Sequence, residues 1–172
     1  ACFEAWRSVA EVEIKAACGH SMGSLAAAVV TGALELEEAA LLARHRGEIM
    51  ASAPGDGAML AVSVPSESAR EFAIGVAAQH ELDIACYNGE RQLVLAGPAR
   101  EIHAVKGIFG AKSVTLQVSH AFHSRMMKPV EQVWVEAVSK VRFRDPVLRY
   151  ISSRTGGFID SHVGIADDII GG

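Results

Sequence analysis

Gly19-His20-Ser21-Met22-Gly23 matches G-x-S-x-G, the nucleophile elbow in which a sharp strand-to-helix turn lifts a serine Oγ clear of a sheet. The flanking residues agree with it. Upstream, Ile14-Lys15-Ala16-Ala17-Cys18 reads as a short, mostly apolar strand, and downstream Leu25-Ala26-Ala27-Ala28-Val29-Val30 is apolar all round, as in a buried helix. Glycines at 19 and 23 suit a turn where backbones approach closely and φ turns positive. The helix N-terminus would then offer free N–H groups and a positive dipole end to an oxyanion. The alternative is a glycine-rich turn that happens to contain a serine; strand before and apolar helix after favour the nucleophile.

The 172 residues are enough for one core or two small subdomains, and with 50% apolar and 21% charged residues the chain is globular. At a formal net charge of −4 and without a Lys/Arg cluster, nothing points to nucleic acid or an anionic membrane. No apolar run has transmembrane length, and no signal peptide opens the chain. Three widely spaced cysteines, Cys2, Cys18 and Cys86, argue against a disulfide framework or a Cys-based zinc site and suit a reducing cytoplasm. The chain opens inside an apparent helix, Cys2 to Val9, and closes on Gly171-Gly172 without a clear final element, so both ends are expected to be cut.

After the elbow, Glu35, Glu37 and Glu38 load the start of a helix that runs to about Ser52. Ala39, Leu42, Ala43, Arg46, Ile49 and Met50 share one face of it. A guanidinium on an apolar stripe either finds an anion or snorkels to the surface, and both outcomes stay open here. Ala53 to Gly57 breaks the chain. A strand over 58–64, a helix to about His80, a strand over 82–87, the hairpin signal Asn88-Gly89, a strand over 91–96, a helix over 99–109 and a strand over 113–119 follow. The order β-α-β-β-α-β is the ferredoxin-like motif, predicted as a subdomain over 57–119 inserted into a core made of 1–56 and 120–172. Past it, a helix from about Met127 to Val141 presents Val130, Val133, Trp134, Ala137 and Val141, and Leu148 to Ser152 reads as a core strand. Residues 159–172 carry little information.

A serine hydroxyl needs a base within reach. Of seven histidines, His45, His80 and His103 sit among polar neighbours on helices, His162 lies in the uninformative tail, and His20 points away from Ser21 across the turn. His120 and His123 remain, at a strand end where catalytic groups often sit. A zinc site would need a third ligand at sensible spacing, and none is evident, which favours a base at one of the two.

Gly19-His20-Ser21-Met22-Gly23, Arg46-Gly47 and His120-Ala121-Phe122-His123-Ser124, in that order, resemble the acyltransferase domain of modular polyketide synthases and, more distantly, the malonyl-CoA:acyl carrier protein transacylase of fatty acid synthesis. The resemblance runs from Phe3-Glu4-Ala5-Trp6 to about Thr155-Gly156. It implies an α/β fold with a Ser-hydrolase-like core, a parallel sheet carrying the elbow, and an inserted ferredoxin-like subdomain. It further implies that Ser21 takes the acyl group as an ester, that His123 is its general base, and that Arg46 binds the free carboxylate of a malonyl-type group as a bidentate partner. The N–H of Met22 would be one oxyanion donor, and His120 and Phe122 would shape the acyl pocket. In relatives His-Ala-Phe-His goes with malonyl and Tyr-Ala-Ser-His with methylmalonyl, since Phe leaves less room for an α-methyl branch.

The implied reaction moves the acyl group from coenzyme A through the Ser21 ester to the phosphopantetheine thiol of an acyl carrier protein, without a metal or tightly bound cofactor. The implied setting is cytoplasmic, with a neighbouring ketosynthase domain as a possible partner. The chain departs from the family pattern in lacking the N-terminal Gly-Gln-Gly loop and the C-terminal strands, and in carrying Ser24 where relatives usually carry Glu. An acyl hydrolase of the same fold is the enzymatic alternative, and an inactive docking module the non-enzymatic one. A plain esterase has no need of an arginine in its acyl pocket, while the missing loop favours the docking module.

Overall fold

The computed structural model describes residues 2–10, 13–53 and 55–172. The chain falls into two compact units, residues 1–47 with 133–172 and residues 48–132.

In the first unit, strand β1 (Ala16–Cys18) runs parallel to β6 (Arg149–Ile151), with Ala17 opposite Tyr150, and β6 pairs antiparallel with β7 (Phe158–Ile159). β1 is shorter than the strand expected from Ile14, because β6 offers only three residues to pair with. Helix α1 (Cys2–Val9) precedes β1, and α2 (Gly23–Val30) follows it with Ser24, Leu25, Ala27 and Ala28 buried. The chain leaves α2 through Thr31 and Gly32, the latter at φ +78°, where a residue without Cβ avoids the left-handed penalty. Helix α3 (Leu36–Ala51) carries Glu37 and Glu38 in its first turn and buries Ala39, Leu42 and Arg46, the stripe anticipated from the sequence.

Residues 159–172 are not featureless. Ser161 caps helix α7 (His162–Gly171) by accepting from the Gly164 amide at 3.2 Å, and Ile165, Asp168 and Ile169 form its buried face. A Cβ on Gly164 would come within 2.7 Å of the Ile159 side chain, so glycine is needed for the close approach. A glycine and an acid on the inner half of so short a helix hide its periodicity.

The second unit holds β2 (Gly57–Ser63), α4 (Glu67–Gln79), β3 (Asp83–Tyr87), β4 (Gln92–Pro98), α5 (Ala99–Phe109) and β5 (Ser113–Thr115), the β-α-β-β-α-β order the sequence announces. Its sheet runs β3-β4-β2-β5, antiparallel throughout. β2 and β4 pair over seven residues, from Gly57 opposite Pro98 to Ser63 opposite Gln92. The β3–β4 turn closes through Asn88 N–H to Gln92 O at 2.9 Å, with Gly89 at φ +78°. Alternation along β4 sends Leu93 and Leu95 to one face, where they meet Leu60, Val62, Val76, Ile102 and Val105. Val94 and Ala96 go to the other face, with Met59 and Ala121. β5 ends at Thr115, short of the expected Ser119, because it pairs only with Leu60 to Val62 of β2.

This unit is wider than the 57–119 expected for the insertion. The His120–His123 stretch belongs to it: Ala121 is 1% exposed, and a Cβ on Gly57 would sit 2.5 Å from the Ala121 nitrogen. A short 3-10 turn over Arg125–Met127 leads into α6 (Lys128–Ser139), which stops before Val141. Its buried residues are Trp134 and Val138, whereas Val133, expected inside, is 52% exposed. Among the described residues no helix is long and apolar enough to cross a membrane.

Candidate active site

The residues singled out above fall into two groups, Ser21, Met22 and Arg46 in the first unit and His120, Phe122 and His123 in the second.

Ser21 sits between β1 and α2 at φ +51°, a left-handed conformation that costs a non-glycine residue roughly 1–2 kcal/mol. The surrounding contacts fix the turn. The Gly23 amide bonds the His20 carbonyl at 2.8 Å, and the Ser24 amide bonds the Ser21 carbonyl at 2.9 Å. A Cβ on Gly19 would overlap the Gly23 carbonyl, so only glycine lets the two ends of the turn meet. Ser24 adds a second hydrogen bond to the Ser21 carbonyl, donated by its Oγ at 2.7 Å. Met22 occupies the N-cap of α2 and makes no side-chain cap, so the first-turn N–H groups receive no side-chain acceptor from it.

Arg46 is 4% exposed. Its Nη2 donates to Ser21 Oγ at 3.1 Å and to the Gly172 carbonyl at 3.2 Å, and its Cζ lies 5.8 Å from the Trp134 ring centroid. Nε is buried without a hydrogen-bond partner. Burial pulls the guanidinium below its ordinary pKa. Among the described residues no side-chain carboxylate pairs with Arg46; at 4% exposure the stripe arginine did not snorkel, and its charge lies beside the serine hydroxyl.

Beneath the elbow lies a cluster that sequence reasoning missed. Asp168 is 5% exposed and accepts from Tyr150 Oη at 2.9 Å and from Ser152 Oγ at 2.5 Å. The signal was present, because Asp168 stands beside Ile165 and Ile169 on the buried side of α7, as Arg46 does among apolar residues on α3. Trp134 ties into the same helix through Nε1 to the Ile169 carbonyl at 3.3 Å.

In the second unit the His-Ala-Phe-His stretch is pinned from both ends. His123 takes φ +58°, the same left-handed region as Ser21. Ser124 Oγ donates to the Ala121 carbonyl at 2.6 Å and accepts from the Met126 amide at 3.2 Å. Arg125 clamps Asp83 of β3, with its amide donating to Oδ2 at 2.7 Å and its Nη2 to Oδ1 at 2.9 Å. Burial raises the Asp83 carboxyl, and the hydrogen bonds and charge of Arg125 outweigh it, leaving it below the usual carboxylate range. His120 Nδ1 meets Ser119 Oγ at 2.8 Å, and its ring lies 5.9 Å from that of Phe122. Gly55 lies against the same imidazole, since an added Cβ would be 3.0 Å from Nε2. Among the described residues no group of His, Cys, Asp and Glu could hold a metal ion.

The sequence model described as acyl transferase domain matches residues 1–165. The chain belongs to this acyltransferase family. It is 36% identical over 148 residues to the polyketide synthase GfsB of Streptomyces halstedii, covering 84% of this chain and 3% of that protein. The solved malonyl CoA-acyl carrier protein transacylase of Burkholderia pseudomallei superposes with a TM-score of 0.87 at 29% identity, over 98% of this chain and 60% of that one. The acyltransferase domain from the second module of the salinomycin polyketide synthase gives a TM-score of 0.78 at 29% identity, over 92% of this acyltransferase chain and 38% of that one. The chain thus spans a small part of its curated relatives and about two-fifths to three-fifths of these solved structures, and its mixed α/β fold is that of acyltransferase domains.

Proposed function

We propose that this chain transfers a malonyl-type acyl group from coenzyme A to the phosphopantetheine thiol of an acyl carrier protein, in polyketide or fatty acid synthesis. Ser21 Oγ attacks the thioester carbonyl while His123 takes its proton. Main-chain N–H groups, that of Met22 among them, hold the tetrahedral oxyanion until coenzyme A leaves as the thiol. His123 passes the Ser21 proton to the departing coenzyme A sulfur; it then takes the proton of the carrier thiol as the thiol attacks the Ser21 ester, and delivers it to Ser21 Oγ as the ester bond breaks. His120 and Phe122 border the acyl chain. No metal or redox group takes part. The scaffold in this reading is a Ser-hydrolase-like core with the elbow on its parallel strand, plus a ferredoxin-like subdomain centred on 57–119.

The observation that carries the proposal is Arg46, a buried guanidinium whose Nη2 touches Ser21 Oγ and whose Nε has no partner. Burying a charge without a counter-ion is costly, and a substrate carboxylate would supply the missing one. Its planar fork matches a carboxylate in a way lysine does not.

The test is acyl loading followed by mass spectrometry. Incubation with malonyl-CoA should leave a malonyl ester on Ser21, absent from Ser21→Ala. Arg46→Ala should lower kcat/KM for malonyl-CoA by on the order of 10²-fold, the scale of a lost charge-assisted contact, while acetyl loading holds or rises. Equal losses for the two thioesters would make Arg46 structural and remove carboxylate selection.

A further inference from the structure

Trp134 has no step in that reaction, yet it lies against the arginine that carries the proposal. Its part of α6 belongs to the first unit with Arg46, and the guanidinium Cζ stands 5.8 Å from the ring centroid, within the range of a cation–π contact. Both residues are buried, Trp134 at 7% and Arg46 at 4% exposure, so water screens the charge from the ring only weakly. The indole is itself tied down. Its Nε1 donates at 3.3 Å to the Ile169 carbonyl, in the last turn of α7, where the helix supplies no donor of its own.

A buried guanidinium needs something to offset its lost hydration. A neighbouring aspartate or glutamate would do so, but it would occupy the N–H donors, and an incoming carboxylate would have to displace it. An aromatic face attracts the cation through its quadrupole and leaves the in-plane N–H groups free. The donors of Arg46 fit the second arrangement. Nη2 reaches Ser21 Oγ and the Gly172 carbonyl, and Nε bonds to nothing. The ring therefore steadies the charge without competing for the place where a carboxylate would bind.

We propose that Trp134 is a positioning residue for acyl selection, its ring face holding the Arg46 guanidinium in the orientation that receives a substrate carboxylate. The inference rests on the malonyl reading of the site. Without the ring, a long arginine side chain regains rotamer freedom, and the fraction of molecules with the guanidinium in place falls. Apparent affinity falls by the same factor, and the loss lands on KM for a thioester that carries a carboxylate.

The test places tryptophan bearing one to four ring fluorines at position 134 of the full chain by nonsense suppression. Each fluorine drains negative charge from the ring face with little change of shape. It also makes the indole N–H a stronger donor, so the tether to Ile169 is not weakened. KM and kcat for malonyl-CoA and acetyl-CoA are measured as loading of Ser21, with thermal melts as the folding control. The malonyl-to-acetyl ratio of kcat/KM should fall stepwise along the series and reach about a tenfold loss with four fluorines, the scale of one desolvated cation–π contact, carried by KM for malonyl-CoA. Trp134→Leu, apolar but without a ring face, should lose the ratio at least as far; if it does not fold, the fluorine series decides alone. A ratio that stays within about twofold along the series, or equal losses for the two thioesters, would overturn the proposal and leave the ring a packing element. Arg46→Ala is measured beside it. A loss there confined to malonyl, with a flat fluorine series, defeats the positioning role and keeps the malonyl reading. Equal losses for both thioesters in Arg46→Ala defeat carboxylate selection, and the role of Trp134 with it.

Discussion

Ser21 and His123 share a backbone problem and solve it differently. Each is a non-glycine residue held at positive φ, +51° and +58° respectively. The Ser21 turn is fixed from within: two glycines in contact, amide-to-carbonyl bonds one turn apart, and the buried hydroxyl of Ser24. The His123 turn is fixed from outside, by the Ala121 methyl in an apolar cluster and by an exposed ion pair between Arg125 and Asp83. Tight backbone contact tolerates no added atom but is indifferent to salt and pH. A charged clamp at the surface tolerates side-chain change and weakens with acid and ionic strength. Strain at a candidate nucleophile is thus locked into the chain, whereas strain at its candidate base is adjustable.

The harshest test of this contrast is Gly19→Ala. The added methyl would overlap the Gly23 carbonyl, a backbone atom that cannot swing aside, so the variant should lose more than about 4 kcal/mol in urea unfolding, or fail to fold. A stable, fully active Gly19→Ala would show that the elbow is looser than its contacts require.

His123→Ala comes next. It should slow single-turnover acylation of Ser21 by on the order of 10²–10⁴ while leaving the melting temperature close to wild type, and His120→Ala should chiefly shift substrate preference. The opposite ranking would move the base to His120.

The smallest effect belongs to Arg125→Ala, which removes the ion-pair half of the clamp and leaves the amide bond to Asp83 and the Ala121 packing in place. Because the Asp83 carboxyl is lowered in the folded state, the pair adds stability above the ordinary carboxylate pKa of about 3.9, and that share is lost as pH falls through the lowered value. Arg125→Ala should therefore melt slightly earlier at pH 7 and match wild type near pH 2, as read by melts across that range. Identical melts at pH 7 would mean that the clamp holds nothing.

Much of this could be read in the residues because local chemistry dictated it. The close approach at the elbow follows from Gly19, although the positive φ falls on Ser21 and Gly23 has open space beside it; the β3–β4 turn follows from Asn88-Gly89, and α5 begins and ends where its periodicity says. Arg46 was visible as a charge on an apolar stripe, though only the structure places it against Ser21 Oγ. Strand ends were harder, because the partner sets them: β1 is no longer than β6 allows, and β5 stops where its pairing with β2 stops. Helix α7 and its Asp168 escaped notice because Gly164 and Asp168 interrupt the apolar pattern for reasons that lie elsewhere in the chain, at Ile159 and Tyr150. The width of the second unit hinged on Ala121, a small residue whose burial nothing local announces.

The parallel pairing of β1 with β6 also sets an order of assembly. Residues 48–132 are consecutive, and the long β2–β4 register lies wholly within them. Ala16, by contrast, waits for Arg149. Closing so long a loop costs entropy that a prefolded insert reduces, so as the chain leaves the ribosome the middle can fold while the strand leading to Ser21 remains unpaired. In pulsed hydrogen exchange, β2 and β4 amides should gain protection before those of β1, and simultaneous protection would refute this order. The strained turn at Ser21 is then among the last to be formed, and its geometry arises only after the chain has been made through β6.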